Sequence, residues 1–411
     1  MKWKGEGAPL VACFLCIIVW VVFMLFNLEL LGYVFSHEGG GVNIGLLGVV
    51  VIGLAVIGGA FLMAWAAEAG QFIFSQAFAL ALLALLEVFP EYMFEASLAW
   101  KRCIELAAAT MTGSNRLLLG AGWPLVFFIY ALSCKRKSGK LARELVLDIK
   151  QSVEIFFLAV LTLYSFIIVL KGTLDIVDTV ILFALYGVYV CLCYRMPAEA
   201  ESGIEYIHGP AKLILRLKNS GSIIVMLVLM FLGGVVIFFS APLFLGGIIA
   251  LAISAGVSVF LTAQWLAPFL SEFPESTSAF YYATREELAP MGIGNLVSAK
   301  VNQWSLLIGT IPLVYSFSVG QLAFIPLDEL QKHEILLTAA QSIYGTVALM
   351  KLRFTRLDAL ILFGLWFIQF IYPPIRIEVT IIYFILALVE FVYYRRENGR
   401  LFREFIKAVK G

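Results

Sequence analysis

The sequence predicts an all-α integral membrane protein with about 12 transmembrane helices, arranged as two inverted five-helix repeats plus one extra helix at each end. Three observations carry that fold class. The 411 residues are 62% hydrophobic and only 14% charged, against roughly 45–50% apolar and about 25% charged in an ordinary soluble domain. Apolar runs reach the length of about 20 residues that a helix needs to cross a bilayer, and they do so again and again along the chain. Finally, short stretches of the first half return in the second half in the same order.

Taken in order, the first run begins at Ala8 and extends to about Phe35. It is too long for a signal-peptide core and lacks a small-residue cleavage pattern, so it is a retained helix. Breaks at charged residues, glycine and proline place further helices near 42–70, 74–100, 104–132, 151–170, 174–194, 221–240, 243–265 continuing to 284, 292–317, 334–350, 357–373 and 377–394. The eighth is long and is broken by Pro274. With the N-terminus inside, alternate connections carry 22 basic residues on the inner side against five on the outer side, which are Lys101, Arg102, Lys171, Lys332 and Arg376. This asymmetry orients both termini to the cytoplasm of a multi-pass protein, with the plasma membrane as its expected location. Arg116 and Lys300 belong to no loop, because both lie inside apolar spans.

The domain organisation follows. An extra N-terminal helix occupies 1–41, a first repeat 42–195, a cytoplasmic linker 196–219, a second repeat 220–374, an extra C-terminal helix 375–395 and a basic amphipathic tail 396–411. In the linker, Lys212, Arg216 and Lys218 interleave with leucines and read as an interfacial stretch. In the tail, Arg400, Arg403 and Lys407 alternate with Phe402, Phe405 and Ile406, the pattern of a helix lying on the inner membrane surface.

Several functional classes are excluded or unsupported. A net charge of +1 without a basic domain argues against a nucleic-acid partner. The six cysteines are scattered, mostly in or beside apolar runs, and read as packing residues without a disulfide framework. His37, His208 and His333 fall between spans and suggest neither a metal site nor a catalytic base. Gly292-x-Gly294 lacks the strand and the Gly-Lys-Ser/Thr of a phosphate loop, so helix packing is its reading. With no nucleophile and base pair, the sequence does not read as an enzyme and implies no cofactor.

The internal repeat carries the chemistry. Leu86-Glu87-Val88-Phe89-Pro90-Glu91 returns as Leu270-Ser271-Glu272-Phe273-Pro274-Glu275, 184 residues later. Gly113-Ser114-Asn115 falls against Ser298-Ala299-Lys300 at 185, and Asp178-Thr179-Val180-Ile181-Leu182-Phe183 against Asp358-Ala359-Leu360-Ile361-Leu362-Phe363 at 180. Each copy holds five helices, so the second enters the membrane from the opposite side. Acids inside a membrane span are costly and mark ion or proton paths. Proline has no N–H, so Pro90 frees the carbonyl of Leu86 and Pro274 that of Leu270. Such carbonyls are hard-cation ligands where they line a cavity. Glu87 and Glu91 are four apart and Glu272 and Glu275 three apart, so each pair shares a helix face.

At these residues the chain resembles the sodium/calcium exchanger superfamily of cation/calcium antiporters. That family carries two repeats, each with a Gly-Thr-Ser-Leu-Pro-Glu type helix followed by a Gly-Asn-x-x-Gly-Ser-Asn/Asp type helix. Here the second helix reads Ala109-Thr110-Met111-Thr112-Gly113-Ser114-Asn115 and Gly294-Asn295-Leu296-Val297-Ser298-Ala299-Lys300. The resemblance implies a secondary cation antiporter working by alternating access, with Glu91 and Glu275 as the metal-binding carboxylates and Asn115 and Ser271 as neutral ligands. The transported cations it implies are Ca2+ and Na+ or H+.

The departures from the family pattern concern charge. Glu87 and Val88 replace Thr and Ser, Glu272 replaces Ser, and Lys300 stands where the family has its second Asn/Asp. Glu87, Glu91, Glu272 and Glu275 set against Lys300 and Arg116 leave about two negative charges if all are ionised. The Lys300 ammonium would then stand in for one bound cation, with Glu87 and Glu272 adjusting coupling. The alternative is a transport-inactive scaffold or partner subunit whose site is closed by internal Glu–Lys/Arg salt bridges. Ser276, Thr277 and Ser278 could add hydroxyl oxygens, while Glu95 and Glu105, nearer the outer end, could form a weak cation funnel but read first as solvated interface residues.

Overall fold

The computed structural model describes residues 7–37, 41–70, 85, 88–195, 209–217 and 220–410. Leu86, Glu87, His208, Lys218 and most of the 196–219 linker lie outside the described residues. In chain order the helices are α1 (Ala8–Phe26), α2 (Leu30–Phe35), α3 (Gly45–Gly70), α4 (Phe89–Trp100), α5 (Ile104–Leu117) and α6 (Trp123–Ser138). Strand β1 (Glu144–Val146), α7 (Ser152–Lys171), β2 (Thr173–Leu174), α8 (Ile176–Arg195), α9 (Pro210–Leu215), α10 (Ser220–Ser254), α11 (Val259–Ser271) and α12 (Phe273–Ala283) follow. The remainder is α13 (Ala289–Asn302), α14 (Ile308–Val319), β3 (Ile325–Pro326), α15 (Glu329–Met350), β4 (Arg353–Thr355), α16 (Arg356–Ile371), α17 (Arg376–Tyr393) and α18 (Arg395–Lys410).

Six helical segments among the described residues are long and apolar enough to cross a membrane: Ala8–Phe26, Gly45–Gly70, Ile104–Ser138, Ile149–Lys171, Ile176–Arg195 and Ser220–Ser254. The last corrects the sequence reading. A break was expected at 240–243, but the helix runs unbroken through Pro242, and the chain turns at Ala255–Ser258 instead. Inside a membrane protein a proline can stay within a helix, and Pro242 is buried. The first run also divides at Asn27–Glu29, and His333 lies on α15 rather than in a loop.

The chain forms two compact units. One comprises residues 1–110 and 197–274, the other 111–196 and 275–411. In the first, α3 packs along α10 with α1, α4, α9 and α11 around them. The approach of α3 to α10 is set by glycine: a Cβ on Gly233 would meet the Gly59 carbonyl oxygen at 2.5 Å, the small-residue contact that lets membrane helices close on one another.

In the second unit α15 packs on α17 and α7, α8 on α14, α13 on α7, and α16 on α6. Two short antiparallel pairs tie its connections, β1 with β4 and β2 with β3. Elements recur at a near-constant spacing. The helix Ile104–Leu117 runs into a π-helical turn at Leu118–Gly122, and Ala289–Asn302 into another at Gln303–Leu307. An Asp-x-x-Gln capping box starts the segment leading into α7 (Asp148, Gln151) and another starts α15 (Asp328, Gln331). Lys171 bridges to Asp178 at 2.5 Å and Lys351 to Asp358 at 3.0 Å, each joining the end of one helix to the start of the next.

Candidate functional site

The Pro-Glu segments break their helices. In the first unit Val88 is a turn, α4 starts at Phe89, and Glu91 sits in its first turn with its N–H on the Val88 carbonyl. In the second copy α11 ends at Ser271, Glu272 is the cap, and α12 starts at Phe273 with Glu275 in its first turn. Each glutamate therefore lies at the positive end of a helix dipole, where a carboxylate is favoured. Glu91, Glu272 and Glu275 are all buried, at 1–2% exposure, and so is Ser271, whose hydroxyl donates to the Pro268 carbonyl.

Glu95 departs from expectation. Read as a solvated interface residue, it is 1% exposed, and neither carboxylate oxygen has a hydrogen-bond partner. Its position one turn after Glu91 was the available signal, since residues four apart share a helix face. Glu105 is exposed as expected, and so is Thr277, which removes one of the three hydroxyls that follow Glu275 from the buried set.

In the second unit the two motif helices α5 and α13 are joined at the positions the repeat makes equivalent. The Lys300 ammonium donates to Asn115 Oδ1 at 2.6 Å and to the Asn115 carbonyl oxygen at 2.9 Å. The Asn115 amide nitrogen is taken by the Met111 carbonyl at 2.8 Å, which fixes the side chain with its oxygen toward the lysine. Trp304 lies 5.1 Å from the ammonium, ring centroid to nitrogen. Lys300 is fully buried, so two well-aligned oxygens replace part of the water its charge gave up.

Arg116 has a different role from the one its place in the motif suggested. It pairs with Glu334 on α15 at 2.5 Å, and the other Glu334 oxygen receives Arg376 at 2.5 Å. Arg116 also donates to the Thr112 carbonyl and to Gln369 Oε1, while Gln341 donates to the Arg116 carbonyl. Its charge is thus answered by Glu334, and it leaves the balance drawn above among the motif acids. Glu334 and Arg376 carried no motif signal; only the intramembrane position of Arg116 called for an acidic partner.

Helices that span a bilayer, broken by buried glutamates at their dipole ends and holding a buried lysine between motif helices, define a multi-pass membrane protein of the ion-transport class. Comparison with known proteins narrows the class. A profile of the sodium/calcium exchanger protein family matches residues 44–195 and 225–373, and the chain belongs to that family. It is similar to the crystal structure of the H+/Ca2+ exchanger CAX, with 34% identity and a TM-score of 0.87 over 98% of each chain. It also shares its fold with the sodium-calcium exchanger NCX_Mj soaked with 100 mM Na+ and 10 mM Sr2+, at 17% identity and a TM-score of 0.56 over 79% of this chain and 97% of that one. No curated protein matches the chain significantly in sequence.

Proposed function

We propose that this protein is a secondary active antiporter that moves Ca2+ against a second cation by alternating access, with H+ favoured over Na+ as the counter-ion. The observation that carries the reading is the full-length likeness to an H+/Ca2+ exchanger, coupled with a buried glutamate in the first turn of each broken helix. Glu91 and Glu275 are the principal ligands, Asn115 and Ser271 neutral ones, and the Leu86 and Leu270 carbonyls further oxygens. Lys300 acts as a tethered cation on the Asn115 oxygens, and Glu87 and Glu272 adjust the remaining charge. A resident ammonium lowers the number of mobile cations needed to neutralise the acids, which favours a proton-coupled cycle over one that carries several sodium ions.

The reading includes the architecture: about 12 spans, inverted five-helix repeats at 42–195 and 220–374 flanked by single helices, and both termini on the cytoplasmic side of the plasma membrane. Flux into sealed proteoliposomes tests it, with calcium, sodium and pH gradients imposed one at a time. Uptake that needs a counter-gradient and disappears in Glu91→Gln and Glu275→Gln supports antiport; folded protein that moves no cation overturns it and favours the scaffold.

A further inference from the structure

Helix α6 ends on a face whose residues are graded in polarity. Ile129, Leu132, Ser133, Arg136 and Lys137 follow the three- and four-residue spacing that puts side chains on one side of a helix. Over about 12 Å of rise the face passes from apolar through hydroxyl to cationic. These five residues line a cavity of about 370 Å³, and across from them stands Thr284, the residue after α12. All six belong to the second unit. The cavity lies where helices that are in close contact deeper down have parted. One turn deeper on the same face of α6, Val126 lies against Gly292 of α13. A Cβ on that glycine would meet Val126 Cγ1 at 3.4 Å and the Ala279 carbonyl oxygen of α12 at 2.8 Å. Beyond that level Leu132 is left 54% exposed, at the end of a span where hydrocarbon gives way to headgroups.

The cations at the mouth of the cavity are not spent inside the protein. Among the described residues the Arg136 guanidinium has neither an ion pair nor a hydrogen bond, and the Ser133 hydroxyl has no partner. Lys137 lies 4.0 Å from Glu287 with both side chains more than half exposed, a pair too loose and too wet to hold either one. The neighbouring acid Glu286 bears on Tyr130 and Cys134, on the adjoining face of α6. Arg285 lies over the Tyr281 ring, 5.3 Å from its centroid. The Thr284 hydroxyl already donates to the Tyr281 carbonyl at 2.7 Å. Ser133, Arg136 and Lys137 are therefore the open donors, and a hydroxyl, a guanidinium and an ammonium together suit the oxygens of a phosphate.

We propose that this cavity is a binding site for an anionic phospholipid, with the phosphate on Ser133, Arg136 and Lys137 and the start of an acyl chain along Ile129 and Leu132. A soluble phosphate would take the donors and leave the apolar half of the cavity in water. A neutral lipid would cover the apolar half and leave Arg136 unanswered. The extra cation of a zwitterionic headgroup would be set among Lys135, Arg136 and Lys137, the basic last turn of α6. In the orientation proposed above this end of α6 meets the cytoplasmic leaflet, the one rich in anionic lipid. The same helical segment, Ile104–Ser138, carries Asn115 further in, so the lipid braces the far end of a motif helix. The site goes beyond the antiport reading, and lipid binding to it does not depend on that reading.

The test uses the purified full chain in detergent with added phosphatidylglycerol, phosphatidylcholine or inorganic phosphate, read by native mass spectrometry and by thermal unfolding. The expected result for wild type is a retained phosphatidylglycerol adduct and a raised midpoint, since a ligand of the folded state stabilises it. Binding should weaken by about tenfold or more in Arg136→Gln/Lys137→Gln. Lys135→Gln/Lys140→Gln removes the same charge from outside the cavity lining and should keep both signals. Equal loss in the two double variants means attraction by a diffuse positive surface and overturns the site. Equal binding of phosphatidylcholine overturns the anionic requirement, and an equal midpoint rise with inorganic phosphate overturns the lipid. Wild type that retains no adduct overturns the proposal while leaving antiport standing, which is judged by flux alone. Should Arg136→Gln/Lys137→Gln fail to fold, Ser133→Trp decides, because it fills the cavity without changing charge: a lost adduct supports the site and a retained one overturns it.

Discussion

The ammonium of Lys300 bonds both oxygens of Asn115, the side-chain amide at 2.6 Å and the main-chain carbonyl at 2.9 Å, so the two positions made equivalent by the internal repeat hold each other. An amide oxygen and a backbone carbonyl are what a hard cation would otherwise be offered. Lys300→Asn is therefore expected to vacate a cation position: transport acquires a dependence on one more monovalent ion, and the charge moved per cycle changes by one. Isotope flux at clamped membrane potential measures both. Unchanged stoichiometry would remove the tethered-cation role.

The Arg116–Glu334–Arg376 group makes a separate expectation about stability. Removing one partner of a buried ion pair costs about 3–5 kcal/mol because the remaining charge stays buried. Glu334→Gln should lower the unfolding midpoint in detergent strongly, because it takes the acid from two arginines at once, whereas Arg116→Met should cost less, since Glu334 keeps Arg376. A double-mutant cycle with no coupling between the two positions would contradict the structure.

Much of this fold was legible in the sequence. Run lengths and breaks locate the apolar helices because a bilayer imposes both length and composition. The Pro-Glu breaks were readable too, since proline has no N–H with which to continue the hydrogen-bond ladder. Pro242 misled because a proline removes one bond of the ladder without ending a membrane helix whose surroundings tolerate the loss. The partners were not legible. Nothing local to Arg116 points to Glu334, more than two hundred residues away, and only helix packing makes Glu95 a buried acid. Glu334 could have been found by extending the 180-residue register that links Asp178 and Asp358 back to Glu154 on the preceding helix.

The Lys–Asp bridges recur at that register but differ in exposure, and this difference sets an order of stability. Lys351 is 1% exposed and bonds Asp358 and Glu390, whereas Lys171 is 33% exposed with Asp175 and Asp178. Lys351→Met is expected to cost about 3–5 kcal/mol. Lys171→Met, partly open to solvent, should cost about 1 kcal/mol or less. Thermal unfolding of the two variants in one detergent checks the ranking, and equal losses would contradict it.

Asp175, in the turn before α8, carries a pH dependence of definite sign. Burial raises its carboxyl, but the Lys171 ammonium and the backbone N–H groups of Val177 and Asp178 outweigh this and hold it below the usual aspartate range. A carboxyl depressed in the folded state adds stability above its unfolded value and loses it as pH falls through the folded value. The midpoint difference between wild type and Asp175→Asn should thus be full at neutral pH and shrink in acid. A difference that grew on acidification would reverse the assignment.

Glycine contacts give the last expectation, and one that needs no transport assay. A Cβ on Gly233 would meet the Gly59 carbonyl at 2.5 Å, and neither backbone can yield without parting α3 from α10. Gly364 on α16 has open space where its Cβ would go. Gly233→Ala should therefore destabilise by about 1–3 kcal/mol through overpacking. Gly364→Ala should be neutral or stabilising, because alanine is the better helix former by about 1 kcal/mol. Purified yield and thermal midpoint of the two variants separate close helix contact from a general intolerance of added methyl groups. Equal losses in both would place the constraint elsewhere than at the α3–α10 crossing.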